Sequence, residues 1–204
     1  ITILNAWFES VSGFTTTGCT ILSDIEMLPK GLLFWRSSTH YIGGLGVVIF
    51  MMMIIPNLGN VRARLGKIEV SDLSKSNYNY KSKQLTKVVG AVYVGLTVIL
   101  IPLLMLAGMN FFDAVNHSFS TIATGGFSTK NASIGYYDSV IIEVIISIFM
   151  VLSSLHFGLI FTSIANRNNK IFKDQIVRYY IVSLAVSAVL VTIGLILSSD
   201  YDSL

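Results

Sequence analysis

Ser12-Gly13-Phe14-Thr15-Thr16-Thr17-Gly18-Cys19-Thr20 returns 108 positions later as Ser120-Thr121-Ile122-Ala123-Thr124-Gly125-Gly126-Phe127-Ser128. On that register Ala6 meets Ala114, Ser10 meets Ser118, Ser12 meets Ser120, Thr16 meets Thr124, Gly18 meets Gly126, and Thr20 meets Ser128. The matches begin at i, i+4 and i+6 and run into a Thr/Gly cluster, so each copy reads as a short helix ending in a non-helical strip. An internal repeat fixes architecture before any other signal does.

The surrounding composition says in what medium the repeat sits. The chain of 204 residues is 53% hydrophobic and 12% charged, with a mean hydropathy of +0.70. Soluble domains carry about 25% charged residues, so half that share points to a bilayer protein. A single cysteine, Cys19, excludes an intrachain disulfide and a cysteine-based metal cluster. The start, Ile1-Thr2-Ile3-Leu4-Asn5, has neither an initiator Met nor a basic leader, and reads as an internal portion of something longer.

About 20 apolar residues are needed to cross a hydrocarbon core of about 30 Å. Residues 1–11 are too short, and the turn Ser23 to Gly31 closes the first strip with Pro29 and Gly31. Leu32–Pro56 spans, carrying Arg36 and His40 early and Gly43, Gly44 and Gly46 where close backbone approach is wanted. Val88–Met109 is uncharged and the clearest transmembrane run. Asn110 or Asp113 then caps the second short helix. Asp138–Ala165 and Ile176–Ser198 are two further spans. The resulting organisation is a first strip and span (1–56), a basic loop (57–87), a second helix–strip–helix unit (88–165), a short loop (166–175) and the first helix of a third unit (176–204).

Charge then sets sidedness. Segments 57–87 and 166–178 hold eleven of the fourteen Lys and Arg, whereas the strips and acidic turns have only Lys30 and Lys130 in their loops. Basic loops stay in the cytoplasm, so both strips face outside, and the short helices must enter and return without crossing. Such a re-entrant strip tolerates bare backbone at membrane depth only where protein or water covers it. There its carbonyls can replace the hydration shell of a cation. Thr16, Thr17 and Gly18, with Thr124, Gly125 and Gly126, are the expected ion-binding residues, supplying mostly backbone oxygens. The short helices direct their negative C-terminal ends at the strips. Neither strip contains a carboxylate, and neutral oxygens suit a monovalent ion, K+ with Na+ as the competitor. Arg36, near a span's outer end, is a candidate structural or gating charge, paired with Glu9 of the first short helix. His40, His117 and His156 show no ligand spacing and read as packing or hydrogen-bonding residues.

Trp7-Phe8-Glu9-Ser10, Thr15-Thr16-Thr17-Gly18, Leu28-Pro29-Lys30, Phe34-Trp35-Arg36, Gly43-Gly44-Leu45-Gly46 and the run His117 to Thr129 resemble the TrkH/TrkG potassium-uptake proteins of the Trk/Ktr/HKT superfamily. That resemblance covers essentially the whole chain. It implies an all-α membrane protein built from four helix–pore loop–helix repeats around one potassium-channel-like pore, with one key glycine per filter. Gly18 and Gly126 match two of the four, so the pore is incomplete in this chain, which would begin in the first pore helix and stop after the first helix of the third repeat. Cys19 and Thr124 depart from the residues the resemblance leads one to expect. It further implies transport of K+, a bacterial inner-membrane location, a homodimer, and a cytosolic nucleotide-binding regulatory subunit of the TrkA type. No enzyme motif is present: there is no HExxH, nucleophile elbow or phosphate-cradling loop, and no cofactor is expected. A carrier with broken helices and a midplane solute site is the alternative, but it predicts strips of inverted orientation. A purely structural subunit leaves the repeated Thr and Gly without a purpose.

Overall fold

A computed structural model of the chain describes residues 2–54, 82–155, 157 and 175–197. Most of the basic loop (57–81) and the second loop (166–174) lie outside these residues, as does the end of the 138–165 span beyond Phe157. Among the described residues the protein is all-α, as expected. Six helices follow in order: α1 (Ile3–Phe14), α2 (Lys30–Ile54), α3 (Ser82–Leu106), α4 (Phe111–Ile122), α5 (Val140–Ser154) and α6 (Gln175–Leu197). A single 3-10 turn, Ser133–Tyr137, precedes α5. Residues 1–158 form one compact unit, and 159–204 form a second.

In the first unit α4 is the hub and packs on α2, α3 and α5, while α2 also holds α1. The core around α4 is Tyr93, Leu100, Leu104, Met109, Ala114, Ile122, Ala123, Ile142, Ile146 and Phe149. Burial on α4 is polar as well as apolar: Asp113, Asn116, His117, Ser118, Ser120 and Thr121 are all enclosed. A helix with that much buried polarity is not lipid-facing, since each such group needs a protein partner. Its counterpart α1 leaves Ile3, Leu4 and Trp7 exposed. Two helical stretches, Lys87–Leu106 with hydropathy 2.5 and Val177–Gly194 with 1.7, are long and apolar enough to cross a bilayer. In the second unit α6 exposes apolar residues along its length, including Val182, Val186, Leu190 and Ile196.

Capping fixes where the short helices begin. The Thr2 hydroxyl accepts the Asn5 N–H at 3.3 Å, and the Asn110 side chain accepts the Asp113 N–H at 2.9 Å, each satisfying one of the orphan donors of a first turn. Of the two candidates at the second start, Asn110 is therefore the cap. Glycines on α2 fix where the short helices end. A Cβ on Gly43 would overlap the Phe14 backbone, and one on Gly44 would press on Ala123 at 3.2 Å. Adjacent glycines on one helix thus receive the last turns of both α1 and α4.

Candidate functional site

Both short helices terminate in the same hydrogen-bond pattern. After α1, the Thr16 N–H donates to Gly13 O at 3.1 Å and the Thr17 N–H to Ser12 O at 3.0 Å. After α4, the Thr124 N–H donates to Thr121 O at 3.0 Å and the Gly125 N–H to Ser120 O at 2.8 Å. This paired closure is a Schellman cap, and it requires a left-handed residue just past the helix. That residue is Thr16 (φ 53°) in one copy and Thr124 (φ 54°) in the other. Glycine is the usual occupant, because a β-branched side chain in this region is strained. The chain itself supplies the contrast. Helix α3 closes the same way, with the Met109 N–H on Leu104 O and the Gly108 N–H on Met105 O, and there the left-handed residue is Gly108. Threonine is thus placed at two strained positions where the same chain elsewhere uses glycine. Each carries strain of about 1–3 kcal/mol that glycine would relieve.

The strips that follow are neither helix nor strand. Gly18 (φ 77°) and Gly126 (φ 106°) repeat a second left-handed conformation two residues on. Among the described residues, no carbonyl of Thr15–Gly18 or Ala123–Gly126 accepts a hydrogen bond. Thr15, Thr17, Thr124 and Gly126 are exposed, and Thr16, Gly18 and Gly125 are half-buried, so these oxygens are open to a ligand or to water. The strips also meet: a Cβ on Gly18 would overlap the Gly125 carbonyl oxygen and lie 3.5 Å from the Gly126 Cα. The two strips are thereby in contact where Gly18 faces Gly125 and Gly126.

Each strip is then tied back to its own helix at equivalent positions. In the first copy, the Thr20 hydroxyl donates to Glu9 Oε1 at 2.9 Å, and the Ile21 N–H reaches Glu9 Oε2 at 3.3 Å. Arg36 closes this tie, with Nη2 2.9 Å from Glu9 Oε1 and 3.2 Å from the Thr20 hydroxyl. In the second copy His117 and Ser128 occupy the places of Glu9 and Thr20, and His117 Nε2 lies 3.0 Å from Ser128 Oγ. His117 Nδ1 sits 2.8 Å from the Asp113 carbonyl and must donate to it, so Nε2 accepts from Ser128. Burial lowers the His117 pKa, which keeps the ring in this neutral, one-donor form.

Asp113, at the start of α4, secures the far end of the second strip. Thr129 Oγ1 donates to Oδ1 at 2.6 Å, while Tyr137 OH and Asn110 Nδ2 donate to Oδ2 at 2.9 and 2.7 Å. Burial alone would raise this carboxyl, but the three hydrogen bonds hold it below its ordinary value. Because the folded-state pKa is depressed, the resulting stability is present at neutral pH and is lost as pH falls below the ordinary 3.8. Asp113→Asn is expected to cost about 2 kcal/mol at pH 7, since it trades charge-assisted hydrogen bonds for neutral ones. Thermal denaturation of the detergent-solubilised full-length protein measures it. The gap from wild type should close in acid, and a gap independent of pH would count against this account. The sequence assigns Asp113 only a capping role and His117 a packing or hydrogen-bonding one without naming its partner; the available signal is their spacing to Ser128 and Thr129 across the strip.

Beyond the strips, the two turns that follow are linked. Asn131 Oδ1 accepts the Ile25 N–H at 2.7 Å, its Nδ2 donates to Asp24 Oδ1 at 2.9 Å, and Lys130 Nζ lies 3.7 Å from Glu26 Oε2. Among the described residues no group of three or more His, Cys, Asp or Glu could hold a metal ion.

Known proteins resemble the chain over its whole length. The TrkH family model, described as a cation transport protein, matches residues 1–197. The Trk system potassium uptake protein TrkH of Halomonas elongata is 40% identical over 202 residues, covering 98% of this chain and 42% of the relative. TrkH of Escherichia coli K12 is 39% identical over 205 residues, covering 100% of this chain and 42% of the relative, and TrkG of the same organism is 34% identical over 194 residues, covering 94% and 40%. The crystal structure of the potassium transporter TrkH from Vibrio parahaemolyticus superposes with a TM-score of 0.81 at 33% identity, covering 100% of this chain and 41% of that one. The chain thus spans about two fifths of the length of the relatives it matches. With this coverage and identity, the chain belongs to the TrkH family of cation transport proteins.

Proposed function

We propose that this chain contributes two of the filter loops of a potassium uptake pore. Thr16, Thr17 and Gly18, with Thr124, Gly125 and Gly126, supply neutral oxygens, mostly backbone, to a partly dehydrated K+ ion. The observation that carries the reading is the duplicated left-handed Thr–x–Gly backbone, whose two copies meet at Gly18 and Gly125 with their carbonyls free of protein partners. Carbonyl rings select monovalent cations in this way, and no protein carboxylate is needed at the ion. Glu9 and Arg36 act on the first strip from behind as a structural charge pair.

The same placement disfavours the broken-helix carrier, in which paired strips run in opposite senses. Here the two copies follow one another in the same sense in the sequence repeat, and the charge pattern puts both strips on one side. The relatives named above are transporters, and no enzymatic step or cofactor enters the reading. The basic loops 57–87 and 166–178 place themselves in the cytoplasm of an inner-membrane protein and the strips outside. A homodimer and a TrkA-type cytosolic regulator complete the assembly on the family resemblance. The test is growth of a potassium-uptake-deficient bacterium at low external K+ when the full-length parent is expressed. Rescue with accumulation of K+ is expected. A membrane-inserted parent that leaves growth and K+ content unchanged would overturn the reading.

A further inference from the structure

His40 is wholly buried in α2, away from any group of ligating side chains, yet its ring reaches the second strip. Its ring lies directly behind Gly125, where an added Cβ would overlap ring atoms. The ring stacks on Phe127 at 4.0 Å between centroids and 17° between planes. Between those two residues, the Gly126 N–H donates to the Ser120 hydroxyl at 2.9 Å, and that hydroxyl lies 3.3 Å from His40 Nδ1.

The direction of these bonds follows from the donors. The Ser120 oxygen accepts the Gly126 proton and still has its own O–H to offer His40 Nδ1; we assign Nδ1 as the accepting nitrogen, with the ring proton on Nε2. The first strip uses the equivalent serine in the opposite sense: the Ser12 hydroxyl donates to the Cys19 carbonyl at 2.6 Å. The Ser12 backbone is itself a polar neighbour of the His40 ring. One imidazole therefore backs the second strip at three consecutive residues and stands beside the end of the first short helix.

We propose that His40 is a positioning residue for ion discrimination, fixing the Gly126 peptide plane through the Ser120 hydroxyl and thereby the direction of the strip's carbonyls. This inference rests on the potassium-pore reading above. A peptide whose N–H is held has its carbonyl aimed, and the carbonyl that shares a plane with the Gly126 N–H is that of Gly125, the one that faces Gly18. Losing the acceptor at position 40 leaves the Ser120 proton without its partner and lets the Gly126 plane rotate.

The experiment measures K+ and Na+ uptake, with membrane abundance, for the full-length parent and its variants. His40→Phe keeps the stack on Phe127 and removes the acceptor. K+-over-Na+ discrimination should fall by about fivefold to tenfold, the scale of one lost hydrogen bond. His40→Asn puts an amide oxygen near the place of Nδ1 and should recover most of that loss. Ser120→Ala should match His40→Phe, and the double variant should be no worse than either single one, because both cut one chain. Wild-type discrimination in His40→Phe, or equal damage in His40→Asn, overturns the proposal. If His40→Phe fails to reach the membrane, Ser120→Ala decides, and wild-type discrimination there overturns it as well. A parent that takes up no K+ removes the pore reading; a K+-transporting parent with insensitive His40 and Ser120 variants removes only this inference.

Discussion

Alanine at position 18 is expected to abolish potassium uptake by the full-length parent, whereas serine at position 126 should leave uptake running and relax its choice of ion. Both glycines have left-handed backbones, so any side chain adds about 1–2 kcal/mol of strain at either position. What separates them is what a Cβ would meet. At Gly18 it overlaps the carbonyl oxygen of Gly125, which is backbone of the opposite strip and cannot swing aside as a side-chain tip can. At Gly126 nothing lies within 4 Å. Gly18→Ala therefore pushes the strips apart, and a fall in uptake of about a hundredfold or more is expected, equivalent to about 2.7 kcal/mol on the transport barrier. Gly126→Ser is accommodated sterically but bends the strip and adds a hydroxyl beside its oxygens. K+-over-Na+ discrimination should drop about tenfold with abundance near wild type. Competition of K+ uptake by Na+ in the rescued strain reads both variants. Equal behaviour of the two would remove the claim that Gly18 and Gly125 are in contact.

That asymmetry marks where sequence reading stops. The repeat, the two Thr/Gly strips, the all-α class and the glycine notch of α2 were legible, because each depends on local spacing or composition. Register alone also paired Gly18 with Gly126 as equivalents. Their inequality arises only when the strips are brought together, and no periodicity encodes which strip lies behind the other. The same holds for the tie between strip and helix. Glu9 with Thr20 and His117 with Ser128 are eleven residues apart in both copies, but the residue types differ, so an identity-based repeat search passes over the pair. His40 reads as a packing or hydrogen-bonding residue, but its partners Ser120 and Phe127 are eighty or more positions away, where no local spacing names them. Thr16 and Thr124 were read as oxygen donors, and the sequence alone had no means of revealing that their backbone is left-handed.

Neutralising Glu9 should destabilise the protein more than neutralising both members of its ion pair. Arg36 is 7% exposed and its guanidinium carbon lies 4.2 Å from the Phe127 ring centroid, while Glu9 supplies the single carboxylate in contact with it among the described residues. Glu9→Gln keeps an oxygen to accept from Thr20 and Ile21 but leaves a buried cation without its counter-charge. Removing one partner of a buried pair costs about 3–5 kcal/mol, whereas replacing both is often near neutral. Adding Arg36→Met to Glu9→Gln removes the stranded charge and keeps a long apolar chain against Phe127, so more than half of the lost stability should return. The comparison is a double-mutant cycle on the detergent-solubilised full-length protein, read by its thermal midpoint and by retained membrane abundance. The cycle also separates two roles for the pair. If stability returns in the double variant while K+-over-Na+ discrimination stays impaired, Arg36 acts on the ion path through Thr20 as well as on the fold. If both return, the pair serves to hold the first strip against α2, which is what its position behind Thr20 and beside Phe127 leads us to expect. A double variant no more stable than Glu9→Gln alone would show that the buried charge is not what the pair offsets.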